Sequence, residues 1–241
     1  RLRADFVANA SHELRTPLAS LVGFVETLRG PARDDTAARE RFLAIMAEQA
    51  GRMARLVDDL LSLSRIEMNE HRAPTNPVDI GNVLQAVADT LEQRAAARQM
   101  HFEFKLPADL APVLGDSDEL TQVFQNLFDN AIKYGAAGTA IEVAGFASSK
   151  LLPSGRPGPR NAAVAIAVRD HGPGIPRDFL PRLTERFYRV DPARSRELGG
   201  TGLGLAIVKH IVSHHRGALD IDSELGQGSV FTVHLPVATG A

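Results

Sequence analysis

The stretch Asn126-Leu-Phe-Asp-Asn130-Ala-Ile-Lys133-Tyr134 presents two different sides of one predicted helix. Asn126, Asn130 and Lys133 are separated by four and three residues, a spacing that places them on the same face. The apolar residues between them point elsewhere, towards a core. Amide oxygens can ligate Mg²⁺ and an ammonium group attracts phosphate, although a plain polar face turned to solvent has the same pattern. The helix is therefore predicted to separate a core from a surface that could hold a metal and a phosphate.

The segments on either side of this helix have strand-like and helical patterns in turn. The predicted helices are Ile80–Gln99, Asp118–Tyr134 and Leu203–His214. The predicted strands are His101–Leu106, Thr139–Phe146, Ala162–Asp170, Gly217–Asp222 and Ser229–Leu235. This order predicts an α+β domain in which several strands pair antiparallel and helices cover one face. The stretch 148–160, rich in Gly, Pro and basic residues, is predicted to be a mobile loop without an assigned function.

A glycine-containing segment, Asp170-His-Gly172-Pro-Gly174-Ile175, ends one of these strands. Glycines at such a place let a ligand approach the backbone closely. Asp170 could accept a hydrogen bond from an amino group of that ligand. The alternative is a plain turn from strand to loop.

A second glycine segment, Gly199-Gly200-Thr201-Gly202-Leu203-Gly204-Leu205, opens directly into a helix. Backbone N–H groups at a helix N-terminus form a phosphate cradle. The segment is neither a Walker loop nor a dinucleotide-binding fingerprint, because it lacks the Gly-Lys-Ser/Thr ending of the first and the third glycine of the second. A flexible hinge remains the alternative. A later segment, Gly226-Gln-Gly228-Ser229, is by itself typical of a hairpin turn.

The first 72 residues have the pattern of two helices joined by a break at Gly30-Pro31. Steps of three and four residues give each helix one apolar face. The first face comprises Leu2, Phe6, Ala10, Leu14, Leu18, Leu21, Val25 and Leu28, and the second comprises Phe42, Met46, Gln49, Met53, Leu56, Leu60 and Leu63. The region is therefore predicted to form an antiparallel helical hairpin.

The hairpin carries more apolar residues than its own seam can bury, among them Val7, Val22, Ile45 and Val57. Two helices alone make a thin core, and two hairpins paired as a four-helix bundle would cover the excess. The sequence thus predicts a homodimer, the alternative being a monomeric hairpin packed on the second domain.

His12 is predicted to face solvent, about 160° around the helix from Ala10 and Leu14 at roughly 100° per residue. Glu13 lies beside it and Thr16 one turn further on. Pro17 interrupts the helix soon afterwards, at a cost that suggests a functional reason. An ordinary surface histidine would fit the same position.

Composition excludes several classes of protein. The 241 residues include no cysteine, so no disulfide scaffold, thiolate zinc site or cysteine nucleophile is available. The 27 basic and 29 acidic residues leave a net charge of −2, which is unlike a nucleic-acid-binding protein. No apolar run approaches the ~18 residues of a membrane span. Since the chain starts at Arg1 within a helical pattern, we expect it to be a fragment that lacks an upstream segment.

Taken in order, these elements resemble the conserved boxes of sensor histidine kinases. The segment from Phe6 to Leu18, with His12-Glu13-Leu-Arg-Thr16-Pro17 at its centre, resembles their H-box. Asn126 to Tyr134 resembles the N-box, and Glu185-Arg-Phe187-Tyr-Arg189 the F-box. The three glycine segments resemble the three glycine boxes. The stretch 180–196 looks most like the phosphate-regulon sensor kinases.

The resemblance implies two domains: a dimerisation and histidine-phosphotransfer hairpin at 1–72, and a Bergerat-type ATP-binding α/β sandwich at 78–241. A linker at 73–77 would act as the hinge between them. The cofactors implied are ATP and Mg²⁺. The implied reaction is autophosphorylation of a histidine, followed by transfer to an aspartate of a cognate response regulator.

The resemblance also implies a role for each matching residue. His12 would accept the phosphoryl group, Glu13 would orient its imidazole, and Thr16 would position water for dephosphorylating the regulator. Asn130 would ligate Mg²⁺ and Asp170 would bind the adenine amino group. The remaining ATP-site residues would be Asn126, Lys133, Tyr134, Gly172, Gly174, Phe187 in a lid, Gly200, Thr201, Gly202, Leu203 and Gly204.

Two other functions fit parts of the pattern. A mechanical ATPase of the topoisomerase, mismatch-repair or chaperone type would share the nucleotide fold but would need a transducer domain after it, and not the His12 hairpin before it. A non-catalytic dimeric scaffold could bind a regulator without using ATP, against which the intact ATP-site boxes argue. If the chain is a sensor kinase, we expect it to be a cytoplasmic fragment of a protein of the bacterial inner membrane. The fragment would then be connected to the membrane only through missing upstream segments.

Overall fold

The computed structural model describes residues 2–69, 73–150, 152 and 163–238. Most of the predicted loop at 148–160, and residues 1 and 70–72 of the predicted hairpin, lie outside the described residues. None of the helices in these ranges combines the length and the low charge that crossing a membrane requires.

The N-terminal part is a helical hairpin, as predicted. Helix α1 spans Leu2–Arg29 and runs through Pro17, and helix α2 spans Thr36–Asn69. The chain reverses between them through a turn in which the N–H of Ala32 donates to the carbonyl of Thr27, at 2.9 Å. Asp35 begins α2 by accepting a hydrogen bond from the Ala38 N–H, also at 2.9 Å.

The second domain is built on a five-stranded sheet in the order β2-β4-β5-β7-β6. Its strands are β2 His101–Lys105, β4 Ala140–Ser148, β5 Ala163–Asp170, β6 Ala218–Glu224 and β7 Gly228–Pro236. The pairs β4–β5, β5–β7 and β6–β7 are antiparallel, as predicted, whereas β2 and β4 are parallel. The parallel pair follows from the crossover through a helix that separates these two strands.

A small sheet that the sequence did not predict lies beside the large one. Strand β1, Asn76–Val78, pairs antiparallel with β3, Val113–Gly115. Because β1 begins at Asn76, the predicted linker at 73–77 already enters the second domain two residues before its predicted end.

Three long helices pack on the large sheet: α3 Ile80–Ala96, α4 Ser117–Tyr134 and α6 Gly204–His214. Helix α4 lies against β4 and β5, α3 contacts β2, and α6 contacts β6 and β7. The apolar face of α4, including Phe124 and Phe128, is fully buried. Its polar face is left at the surface, where it can form a site.

The hairpin is docked on this domain through α2, which packs against α6. Leu56, Leu63 and Ile66 of α2 are buried and belong to the same apolar cluster as the core of the second domain. The sequence placed Leu56 and Leu63 in the seam of the hairpin. Here they also serve the interface between the two domains.

Candidate active site

A cleft of about 230 Å³ opens between α4, the ends of β5 and β7, and the segment 173–205. Ten of the predicted ATP-site residues line it: Asn126, Asn130, Lys133, Tyr134, Asp170, Gly174, Gly200, Thr201, Gly202 and Gly204. Gly172, Phe187 and Leu203 do not line it, and neither do His12, Glu13 and Thr16 of the hairpin. The structure thus brings together residues that span almost eighty positions of sequence.

Asp170 forms the deep end of the cleft. It is 6% exposed, and its Oδ1 accepts a hydrogen bond of 2.8 Å from the backbone N–H of Gly172. Burial raises the pKa of this carboxyl group, while hydrogen bonds from the backbone of Gly172 and Ser229 act in the opposite direction. Gly172 therefore contributes by holding Asp170 rather than by facing the cleft.

The backbone beneath Asp170 requires a glycine at position 228. Gly228 has φ +88°, and a Cβ there would lie 2.0 Å from the carbonyl oxygen of Asp170. Gly226 has a similar φ of +80° but has open space around its Cβ position. Alanine at Gly226 would therefore cost only the strain of a left-handed backbone, whereas alanine at Gly228 would add a steric clash.

We expect Gly228→Ala to lower the free energy of unfolding by about 2 kcal/mol more than Gly226→Ala, because only the first adds a clash to the ~1–2 kcal/mol of left-handed strain. Chemical denaturation of the two variants measures the difference. Equal losses for both would show that Gly228 does not support the position of Asp170.

The polar face of α4 is held by its own neighbours. Lys133 pairs with Asp129 at 2.6 Å, and the side-chain amide of Asn126 donates to the carbonyl of Gln122 at 2.9 Å. The other end of Asn126 faces the glycine loop, since a Cβ at Gly204 would lie 2.7 Å from its Oδ1. Asp129 also lines the cleft, and sequence reasoning did not single it out. Its spacing of four residues before Lys133 was the available signal.

The glycine loop at 199–204 leads into the N-terminus of α6. The N–H of Gly200 donates to the carbonyl of Ser195 at 2.8 Å, and a Cβ at Gly200 would lie 2.5 Å from the Ser195 hydroxyl. Gly202 has φ +77°. Glycines at these positions let a ligand approach the loop backbone closely, as a phosphate site requires. In this conformation the N–H of Gly200 is engaged by Ser195, and that of Leu203 donates to the hydroxyl of Thr201 at 3.3 Å.

The predicted lid, at roughly 177–199, contains a short 3-10 helix, Arg177–Arg182, and helix α5, Pro192–Glu197. Between them Phe187 adopts a left-handed φ of +63°, and its N–H donates to the carbonyl of Gly202 at 2.8 Å. Its ring contacts the ring of Phe6 on α1, with centroids 6.0 Å apart. Phe187 thus joins the lid to the hairpin and lies outside the cleft.

His12 is exposed on α1, as predicted from its helical position. The hydroxyl of Thr16 donates to the backbone carbonyl of His12 at 3.3 Å. The carboxylate of Glu13 is bound by Arg189 at 2.8 Å and by Arg52 at 3.1 Å. In this conformation Glu13 is therefore engaged by guanidinium groups, and its predicted role towards His12 stays a prediction.

Arg189 belongs to the segment that resembles the F-box, and the sequence predicted no role for it. Its side chain is 7% exposed, lines the cleft, and donates from Nη2 to both Glu13 and the carbonyl of Thr201, each at 2.8 Å. It therefore bridges the residue next to His12 and the glycine loop. Sequence alone could not find this role, because Glu13 and Arg189 are 176 residues apart.

A second cluster of titratable groups, Glu119, His214 and His215, lies near the start of α4. The Asp116 N–H donates to His215 Nε2 at 3.0 Å, so Nδ1 carries the proton that it shares with the carbonyl of Ile211, at 2.9 Å. Burial lowers the pKa of His215, which keeps the ring neutral. Both of its nitrogens are thus engaged, and the cluster is a structural contact between α4 and α6.

Two known protein families match separate parts of the chain. Residues 2–69 match the model of the His Kinase A (phospho-acceptor) domain. Residues 115–239 match the family of histidine kinase-, DNA gyrase B- and HSP90-like ATPases.

Individual relatives give the same result. The chain is 39% identical to the phosphate regulon sensor protein PhoR of Pseudomonas aeruginosa, over 99% of the chain and 51% of that protein. It is 36% identical to the sensor protein kinase WalK of Staphylococcus aureus, over 98% of the chain and 54% of that protein. The chain thus spans about half the length of these curated relatives.

Solved structures of histidine kinases have the same architecture. The histidine kinase AdeS of Acinetobacter baumannii matches with a TM-score of 0.70 and 27% identity, over 95% of this chain and 98% of that one. Full-length ShkA in complex with AMPPNP matches with a TM-score of 0.68 and 28% identity, over 98% of this chain and 46% of that one. Together with the two domain matches, these likenesses confirm the resemblance drawn from the boxes: the chain belongs to the sensor histidine kinases, with a phospho-acceptor hairpin followed by an ATPase domain.

Proposed function

We propose that this chain binds ATP, transfers its γ-phosphoryl group to His12, and passes that group to an aspartate of a response regulator. The observation that supports this most is a single cleft in which Asp170, the polar face of α4 and the glycine loop converge, in a chain that also exposes His12. The reaction is proposed from the family to which the chain belongs, and the residues that would carry it out are proposed from the lining of the cleft.

In the proposed complex, Asp170 accepts a hydrogen bond from the adenine amino group and Tyr134 lies near the base. The backbone N–H groups of the loop around Gly202 bind the phosphates. A magnesium ion would be held by amide oxygens of this face, Asn130 with support from Asn126, because hard cations take oxygen ligands and both residues line the cleft. The glycine at position 204 keeps a Cβ from lying 2.7 Å from the Asn126 oxygen. The ion would neutralise phosphate charge in the transferred group.

The chemistry at His12 needs little from the protein beyond positioning. A neutral imidazole is a competent nucleophile towards phosphorus. A ring nitrogen forms a bond to the γ-phosphorus while the bond from that phosphorus to the ADP oxygen breaks. The ring then loses a proton, and the product is a phosphoramidate that can phosphorylate an aspartate.

Glu13 is the proposed acceptor of that proton, but it must first leave Arg189 and Arg52. We therefore propose that the docked arrangement precedes catalysis and that the two domains move between steps. The linker at 73–77 is the proposed hinge, with its free part before Asn76, where β1 starts.

The proposed assembly is a homodimer that receives a response regulator. Apolar side chains remain exposed on the hairpin, among them Val7 at 61% and Val22 at 52%, which supports burial against a second hairpin. The solved complex of the histidine kinase ThkA with the response regulator protein TrrA has the same fold, with a TM-score of 0.73 at 20% identity. By analogy with the sensor proteins it resembles, we propose that the chain lies on the cytoplasmic side of a bacterial inner membrane.

Incubation of the chain with Mg²⁺ and γ-labelled ATP tests the proposal. We expect protein-bound label that is lost in acid and stable in base, as a phosphoramidate is. Bound ATP without any protein label would favour the scaffold alternative, and label released only as free phosphate would favour a mechanical ATPase.

We further propose that Thr16 positions water for dephosphorylating the regulator. Thr16→Ala is expected to slow release of phosphate from a phosphorylated regulator by about 10-fold or more, because one water-orienting hydrogen bond is lost. The rate of autophosphorylation should stay within about twofold of the wild type, since alanine is compatible with helix α1. Ser20→Ala, one turn further along the same helix, is the matched control. An unchanged rate of regulator dephosphorylation in Thr16→Ala would refute this role.

A further inference from the structure

The glycine loop of the cleft is joined to the hairpin by hydrogen bonds at Thr201, and Arg55 of α2 lies beside it, with Nη2 3.0 Å from the Cβ position of Gly199. Its hydroxyl donates to Asp59 Oδ2 on α2 at 2.6 Å. Its carbonyl accepts from Arg189 at 2.8 Å, and the same nitrogen of Arg189 donates to Glu13 on α1. The hydroxyl and the carbonyl of Thr201 are thus connected to the hairpin, the first directly and the second through Arg189.

Asp59 is a carboxylate placed against a site suited to anions. It is partly buried by docking, and that loss of water raises its pKa. The hydrogen bond from Thr201 and the positive charges of Lys133 and of Arg55 on α2 lower this pKa, whereas the neighbouring charge of Asp58 adds a smaller increase. Lys133 lines the cleft, so the ammonium group that would attract phosphate also acts on Asp59.

A triphosphate bound to this loop would bring several negative charges next to that carboxylate. Like charges at short range in a partly dry site repel far more strongly than they do in water. The phosphate and Asp59 would also compete for the hydroxyl of Thr201 and for the field of Lys133.

We propose that Asp59 couples binding of phosphate in the cleft to docking of the hairpin, so that binding of the triphosphate displaces α2 from Thr201. This inference rests on the proposed binding of ATP. Displacement also removes the support that Arg189 gives to Glu13. Glu13 and His12 are then free to take up the arrangement for phosphoryl transfer. Asp59 is a positioning residue in this scheme, because it acts through Thr201 and touches no reacting atom.

Asp59→Asn tests the charge while keeping an acceptor oxygen for Thr201. We expect this variant to bind ATP about 3- to 10-fold more tightly than the wild type, since the repulsion is gone and the shape is kept. Its affinity for adenosine, which carries no phosphate, should be unchanged. Isothermal titration calorimetry with the two ligands gives both values.

Asp58→Asn is the matched control, because Asp58 is the neighbouring acid on α2 and is exposed. It removes the same formal charge from the same helix and should leave ATP affinity unchanged. Equal tightening in Asp58→Asn and Asp59→Asn, or no tightening in Asp59→Asn, overturns the inference. A wild type that binds no ATP overturns the proposed function as well.

Accessibility of α2 provides a second, independent readout. The chain has no cysteine, so Leu63→Cys introduces a single thiol at a position that is 1% exposed while α2 is docked. We expect a non-hydrolysable ATP analogue, but not adenosine, to accelerate alkylation of this thiol several-fold. The acceleration should shrink when Asp59→Asn is added. An alkylation rate that the ATP analogue does not change would contradict displacement of α2.

Discussion

Replacing His12 by alanine is expected to reduce acid-labile labelling from γ-labelled ATP to background. No other nucleophile is proposed at the transfer step, so removal of the imidazole removes the bond that forms. Because His12 is exposed and lies outside the cleft, ATP affinity should stay within about twofold of the wild type. Phosphoprotein autoradiography and a nucleotide titration on the same preparation measure the two quantities.

His101→Ala is the matched control, since His101 is also an exposed histidine and lies on β2, away from the cleft. It should be labelled like the wild type. Label that persists in His12→Ala would mean that another residue accepts the phosphoryl group, and the assignment of His12 would then be wrong.

Replacing Asp170 by asparagine should weaken ATP binding by about 100-fold, which corresponds to the ~2–3 kcal/mol of a hydrogen bond involving a charged group. Asparagine can still accept the hydrogen bond from Gly172, so the fold should be retained. Its amide group, however, would present N–H donors where the adenine amino group also donates. Calorimetric titration with ATP measures the loss.

The same change should alter base preference. Inosine triphosphate carries a carbonyl in place of the adenine amino group and could accept from the new amide. We therefore expect Asp170→Asn to bind the inosine nucleotide more tightly than ATP, reversing the order of the wild type. Asp222→Asn, an exposed acid on β6, should change neither affinity. A base preference that is unaltered in Asp170→Asn would exclude Asp170 as the group that binds the amino group.

Local patterns predicted most of the fold. The long helices and the five strands of the large sheet begin and end within about three residues of their predicted bounds, because apolar periodicity and glycine or proline breaks are properties of the segment itself. The β1–β3 pair was missed, since three-residue strands are too short to show a period. The parallel pairing of β2 with β4 depends on the tertiary path of the chain.

Ten of the predicted ATP-site residues line the cleft, but the contacts between the cleft and the hairpin were not predicted. Asp59 and Thr201 are 142 residues apart, and nothing in the pattern of α2 distinguishes Asp59 from Asp58 beside it. The same holds for the bridge from Glu13 to Arg189. Sequence motifs identify which side chains can take part in a reaction. Contacts between domains cannot be predicted in this way, because they depend on how two separately folded surfaces pack together.

The left-handed backbone of Phe187 stores conformational strain in the lid. An aromatic residue in that region costs about 1–2 kcal/mol, which here is offset by its contact with Phe6 and its bond to Gly202. When the hairpin undocks from the second domain, the contact with Phe6 is lost. The conformational strain at Phe187 is then offset only in part. Departure of α1 and relaxation of the lid should then occur as one cooperative transition, so that a lid mutation changes the lifetime of the docked state as strongly as a mutation in the interface.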